Sequence, residues 1–180
     1  KKVYYDEVMG RAVSKFVPAD DLVVPYTATS LEDADAIIHT VKISENELRK
    51  QQVGGFYRDI ELNPSYVNES ATDKKERELD GTRRGKDEKM YSLLECHVNL
   101  DIDGFNDVDA EGEPTGIKLP YIVTIEEGSK EVLSIRRNYE IGDVTKSKIS
   151  YFVHFKFLPG LGFYGFGLIH MIGGLSRTAT

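Results

Sequence analysis

Apolar and polar residues alternate in two short runs at the start of the chain, VYYDEV (3–8) and RAVSKFV (11–17), on either side of Gly10. A period of two interrupted by glycine predicts a β-hairpin. Pro18 and the acidic pair Asp20 and Asp21 end it, and LVVP (22–25) reads as a short buried strand stopped by proline. Ser30 then opens a short helical turn. Leu31, Ala34 and Ile37 fall on one side of it, and Glu32 and Asp33 sit in the first turn, where the helix dipole favours acidic groups. AIIHTVKI (36–43) reads as a strand. Ser44 and Glu47 form an S-x-x-E capping box for the helix ENELRKQQV, which Gly54 and Gly55 stop.

From residue 92 onward the pattern becomes β. LLECHVNLDI (93–102), KLPYIVTIE (118–126), EVLSIRRNY (131–139) and SYFVHFKFL (150–158) are four strands of similar length, and EEGSK joins the middle pair tightly. Short connections between successive strands imply an antiparallel sheet. In FGLIHMIGGLSRTA, Leu168, Met171, Ile172 and Leu175 recur at helical spacing. The expected fold is therefore α+β: mainly antiparallel β-sheet with short helices and a C-terminal helix.

Three parts follow from these changes of pattern. Residues 1–66 hold the hairpin and the short helices. Residues 67–91 are a charged insertion with almost no apolar side chains, expected to be mobile because it cannot bury enough surface to offset its ordering entropy. Residues 92–180 hold the antiparallel sheet and the start of a long helix. There is no internal repeat.

Composition narrows the function. The chain has 180 residues, of which 40% are hydrophobic and 29% charged, enough for a core and unlike a disordered segment. The net charge of −7 argues against gripping nucleic acid, since phosphate binding is driven by Lys and Arg. The cluster Arg83, Arg84 and Lys86 reads as part of a solvated charged face. The lone Cys96 rules out an internal disulfide and fits a reducing compartment. The chain starts at Lys1 and ends within a helical pattern, which reads as a segment cut from a longer protein.

Candidate chemistry is sparse. Gly160, Gly162 and Gly165 spell G-x-G-x-x-G between an expected strand and an expected helix, the setting of a dinucleotide-binding turn. Three features oppose that reading. The preceding strands are antiparallel, no Asp or Glu follows Asp143 to hold a ribose, and Pro159, Phe163 and Tyr164 make the corner bulky. The uncharged run from Phe157 to Leu175 is long enough to span a bilayer, but Pro159, six glycines and His170 interrupt it, so it reads as a packed turn entering a helix. Asp107, Asp109, Glu111 and Gly112 resemble the start of a calcium loop, yet Lys118 stands where the closing Glu belongs. The stretch 101–113 therefore reads as an exposed acidic loop. The histidines at 39, 97, 154 and 170 show no zinc spacing, and Cys96 and His97 face opposite sides of a strand. His154, among Phe152, Phe155 and Phe157, reads as a packed structural histidine. No catalytic residue, cofactor site or metal site is assigned, and no enzyme motif is present in the sequence.

The run ISYFVHFKFLPGLGFYGFGLIHMIGGLSRTAT resembles a segment of the portal proteins of tailed double-stranded-DNA bacteriophages, of the large, short-tailed-phage type. There an aromatic strand and a G-F-Y-G-x-G corner lead into a long helix. LPYIVTIEEGSKEVLSIRRNYEIGD is similar to the family's strand-turn-strand ending in R-R-N-Y. VPADDLVVPYTATSLEDADAIIHTVKISENELRKQQVGGFY also resembles it. The resemblance covers most of the chain outside the charged stretch between Tyr66 and Tyr91.

It implies an internal fragment of the β-rich wing of a portal, a structural subunit and not an enzyme. About a dozen copies would form a ring at one capsid vertex through head-to-tail contacts. The resemblance further implies docking of terminase, scaffold and tail or head-completion proteins, and DNA passing through the channel without specific binding. It implies no membrane, and residence in the virion, with the bacterial host cytoplasm as the place of assembly. In this picture Phe163, Tyr164 and Phe166 anchor the glycine corner in the core, and the apolar face of Leu168, Met171, Ile172 and Leu175 is covered locally or by another copy. The alternatives kept beside it are a nucleotide-binding domain using Gly160, Gly162 and Gly165, and a calcium-stabilised phage structural module.

Overall fold

Gly10 takes a left-handed φ of 60°, a conformation open to glycine at little steric cost, and the chain doubles back there. In the computed structural model, which describes residues 1–6, 10–63, 75, 78, 90–109, 111–160 and 162–178, β1 (Lys2–Asp6) and β2 (Arg11–Lys15) pair antiparallel from Lys2↔Lys15 to Asp6↔Arg11. The charged insertion expected at 67–91, with Arg83, Arg84 and Lys86, falls almost wholly outside the described residues.

Contacts gather the chain into two units, Lys1–Ile37 with Tyr139–Thr180, and Ile38–Asn138. Their limits differ from the three consecutive parts read from the sequence, because both ends of the chain belong to the first unit. The architecture is α+β, with mainly antiparallel sheet, few short helices and a C-terminal helix. A two-stranded sheet holds β1 and β2. A five-stranded sheet runs β3-β4-β5-β6-β7, with β3 (Leu22–Val23), β4 (Ala36–Ser44), β5 (Met90–Leu100), β6 (Leu119–Glu126) and β7 (Val132–Arg137).

In the first unit a core of Ala28, Leu31, Ala34, Ile37, Phe152 and Phe163 forms from three separate stretches of sequence. The helical turn expected at Ser30 is not a helix. Ser30 and Asp33 make the reciprocal bonds of a cap: the Ser30 amide donates to Asp33 Oδ1 at 2.8 Å and the Asp33 amide to Ser30 Oγ at 3.3 Å. The strand β4 begins at Ala36, however, and leaves no room for the further turns that make helix formation favourable. The bend that results still turns Leu31 and Ala34 inward, and Lys148 Nζ pins it by donating to the carbonyls of Leu31 and Ala34. The Thr29 hydroxyl, at 2.6 Å, and the amides of Ser30 and Thr29 hold the Asp33 carboxyl well below the usual range. The strand at Leu22 is shorter than expected and not buried, since Val23 is exposed.

The second unit is built on β5, β6 and β7. β5 and β6 pair from Leu93↔Glu126 to Leu100↔Leu119, and β6 and β7 from Tyr121↔Arg137 to Ile125↔Val132. The register shifts between Thr124 and Ile125. With Thr124 opposite Ser134 and Ile125 opposite Val132, Leu133 is the extra residue of a bulge, and it is turned fully into the core. There it meets Leu48, Tyr91 and Leu93. Leu48 comes from α1 (Glu45–Val53), which starts as expected: Ser44 Oγ accepts from the Glu47 amide at 3.3 Å. It stops at Gly54 and Gly55, whose amides bond back to Lys50 and Gln52. Gln52 Nε2 then donates to the carbonyls of Arg58 and Ile60, and the Arg58 amide bonds to Leu133 O, so the post-helix loop covers part of the β7 edge.

One expected strand is absent. Of 150–158, only Phe152 and Leu158 make isolated bridges, to Lys2 and to Phe166. The segment belongs to the first unit and not to the sheet of β5, β6 and β7. Its alternation encodes an extended backbone but not a partner.

Candidate interaction surface

The chemistry expected around Gly160, Gly162 and Gly165 depends on what the glycines do. Leu158 and Phe166 face each other in an antiparallel bridge, with the Phe166 amide donating to Leu158 O at 2.9 Å. A Cβ on Gly165 would stand 2.5 Å from Leu158 O, and one on Gly160 would stand 3.1 Å from Tyr164 O. One at Gly162 would meet open space. Two of the three glycines thus permit close backbone approach, which is a packing role. Among the described residues no parallel β-α-β unit accompanies the corner, so the setting a dinucleotide turn needs is missing.

The aromatic side chains of the corner divide. Phe163 is buried and stacks on His154 with ring centroids 4.2 Å apart. Tyr164 and Phe166 are largely exposed, contrary to the expectation that all three anchor the core. The Tyr164 hydroxyl donates to Leu22 O at 3.0 Å, and the Phe166 ring lies against His170. Beside Phe163 runs an apolar groove of about 640 Å³, walled by Phe16, Pro18, Leu22, Phe152 and Tyr164.

Burial, the nearby positive charge of Lys156 and the amino terminus lower the His154 pKa. A His pKa lower in the folded than in the unfolded chain means that folding favours neutral imidazole. The stability tied to that preference is complete above the unfolded value of about 6.5 and is lost as pH falls through the lower folded value. His154→Phe keeps the stack and removes the titration. The urea midpoint of the parent chain is expected to fall more between pH 7.5 and pH 5 than that of the variant. Parallel falls would assign the acid sensitivity elsewhere.

The corner leads into α2 (Leu168–Thr178), the expected C-terminal helix. Its apolar positions are not covered within the chain: Leu168 is 58% exposed, Met171 50% and Ile172 53%. Ile169, off that face, is 82% exposed. The Leu175 side chain lies outside the described residues. Of the two covers expected for this face, the local one is therefore missing, and apolar surface of this extent marks an interaction site. His170 closes the start of the helix, its Nδ1 accepting from the Gly167 amide at 3.3 Å. Among the described residues no helix is long and apolar enough to cross a membrane.

The acidic residues of 101–113 are occupied in shaping their own loop. Asp107 is buried, and its Oδ2 accepts the Thr115 hydroxyl at 2.7 Å. Asp109 Oδ1 accepts the amides of Glu111 and Glu113. Among the described residues no three His, Cys, Asp or Glu side chains are placed to hold a metal ion.

In the second unit His97 Nε2 lies 2.8 Å from Glu95 Oε1, and both side chains are nearly buried. Period-two spacing on β5, which puts residues i and i+2 on one face, was the signal for this pair. Its contact is a satisfied internal bond. His39 is also buried, on β4. The Cys96 thiol is pushed up by burial and then by Glu95, which makes it a poor nucleophile. No family model matches the chain, and no curated protein matches it.

Proposed function

We propose that this chain is part of the wing of a bacteriophage portal subunit, a structural protein and not an enzyme, acting in a ring through which DNA is packaged and ejected. The observation that carries this reading is the apolar surface from Phe155 through the glycine corner to Ile172, uncovered within the chain. A subunit of a closed ring buries such surface against its neighbours, and a heterologous contact needs two different complementary faces. The sequence resemblance supplies the kind of ring, together with terminase, scaffold and head-completion proteins as partners and the virion as location. The net charge of −7 agrees with DNA passing by and not being held.

The test is the assembly state of the full-length gene product, by mass photometry and negative-stain electron microscopy. Closed rings are expected. Ile169→Asp combined with Ile172→Asp is expected to cut the ring fraction about tenfold while leaving the circular dichroism spectrum of the subunit unchanged. A product that stays monomeric at micromolar concentration would overturn the reading.

A further inference from the structure

Residues 153–157 have a strand's side-chain alternation without a strand's pairing. Val153, Phe155 and Phe157 stand exposed, while Phe152 is buried in the core and His154 lies flat on Phe163. On the β1 side the pairing is regular up to the first residue. The Val3 amide donates to Tyr151 O at 2.7 Å, Lys2 faces Phe152, and Lys1 and Val153 exchange two bonds of 2.8 Å, each N–H group donating to the other's carbonyl. Beyond that pair, among the described residues, the amides of His154, Phe155, Lys156 and Phe157 donate to no backbone carbonyl. An open edge with exposed apolar side chains accepts a further strand.

We propose that His154–Phe157 is a strand-accepting edge whose occupant is β1 lengthened at its amino end, an antiparallel strand running into Lys1. The existing pairing sets the register. A residue joined to Lys1 faces His154, the second faces Phe155, the third Lys156 and the fourth Phe157. Hydrogen-bonded and non-bonded pairs alternate in an antiparallel ladder, and Lys1–Val153 is a bonded pair. The next bonded pairs are therefore those of Phe155 and Phe157, whose amides point at the incoming strand. The amides of His154 and Lys156 point to the opposite edge. The second and fourth positions of the occupant share the exposed face with the two phenylalanine rings and take β-branched or aromatic side chains.

The test is residue-resolved amide hydrogen exchange on the 180-residue chain carrying a short amino-terminal extension of alternating Thr and Val, beside one carrying Gly and Ser of equal length. With Thr and Val, exchange at Phe155 and Phe157 is expected to slow at least about tenfold, with His154 and Lys156 unchanged. With Gly and Ser, little slowing is expected. Equal slowing at all four amides, or none at Phe155 and Phe157, would overturn the proposal. So would equal protection by the Thr-Val peptide added free in solution, because the occupant would then be a separate polypeptide.

Discussion

Gly165→Val is expected to destabilise the first unit by about 3 kcal/mol or more, read as a fall in the urea midpoint followed by circular dichroism. The nearest obstacle is backbone: the new Cβ would stand 2.5 Å from Leu158 O and 3.2 Å from Lys156 Cβ. No side-chain rotamer relieves that clash. The two segments must separate, which breaks the bond from the Phe166 amide to Leu158 O and loosens Phe163, a buried member of the core two residues away. Gly162→Ala is the control in the same corner. It meets open space and is expected to stay within about 0.5 kcal/mol of the parent. Equal effects of the two substitutions would mean that the glycines serve something other than close approach.

Leu93→Ala is expected to cost the second unit about 2–5 kcal/mol. Leu93 is 1% exposed and touches the cluster in which Leu48, Tyr91 and Leu133 meet. Removing three carbons there leaves a cavity that the bulge at Leu133 and the capped helix α1 cannot collapse into without losing their own bonds. Far-ultraviolet circular dichroism against urea is the measurement, since the chain has no tryptophan. A loss below about 1 kcal/mol would show that this cluster is not the core of its unit. The exposed Ile172 gives the contrast. Its truncation is expected to leave the midpoint nearly unchanged, because in the single chain it is about half solvated.

Much of the fold was legible where the determinants are local. The hairpin about Gly10, the cap at Ser44, the stop at Gly54, the turn between β6 and β7 and the helix α2 all depend on residues within a few positions of one another. Periodicity and turn chemistry report on that range directly. The α+β class follows from the same local elements.

Of the surface, the sequence marked the glycine corner and the apolar helix face, but not their surroundings. That the bend at Ser30 stops short of a helix depends on where β4 must begin. That Tyr164 and Phe166 stay outside while Phe163 goes in depends on which ring finds His154. The Glu95–His97 bond was implied by spacing, yet only burial makes the pair close on itself.

What the sequence determined by itself, then, is the set of elements and their class, because backbone preference and side-chain alternation act over a few residues. What only the tertiary structure decided is the choice of partners. The run from Ser150 to Leu158 is as strand-like as β6, but it meets Lys2 from the far end of the chain and leaves its exposed phenylalanines on an open edge. Alternation tells a strand which side faces in. It does not say which edge it joins, because every backbone offers the same hydrogen bonds and the selection is made by packing among residues distant in sequence.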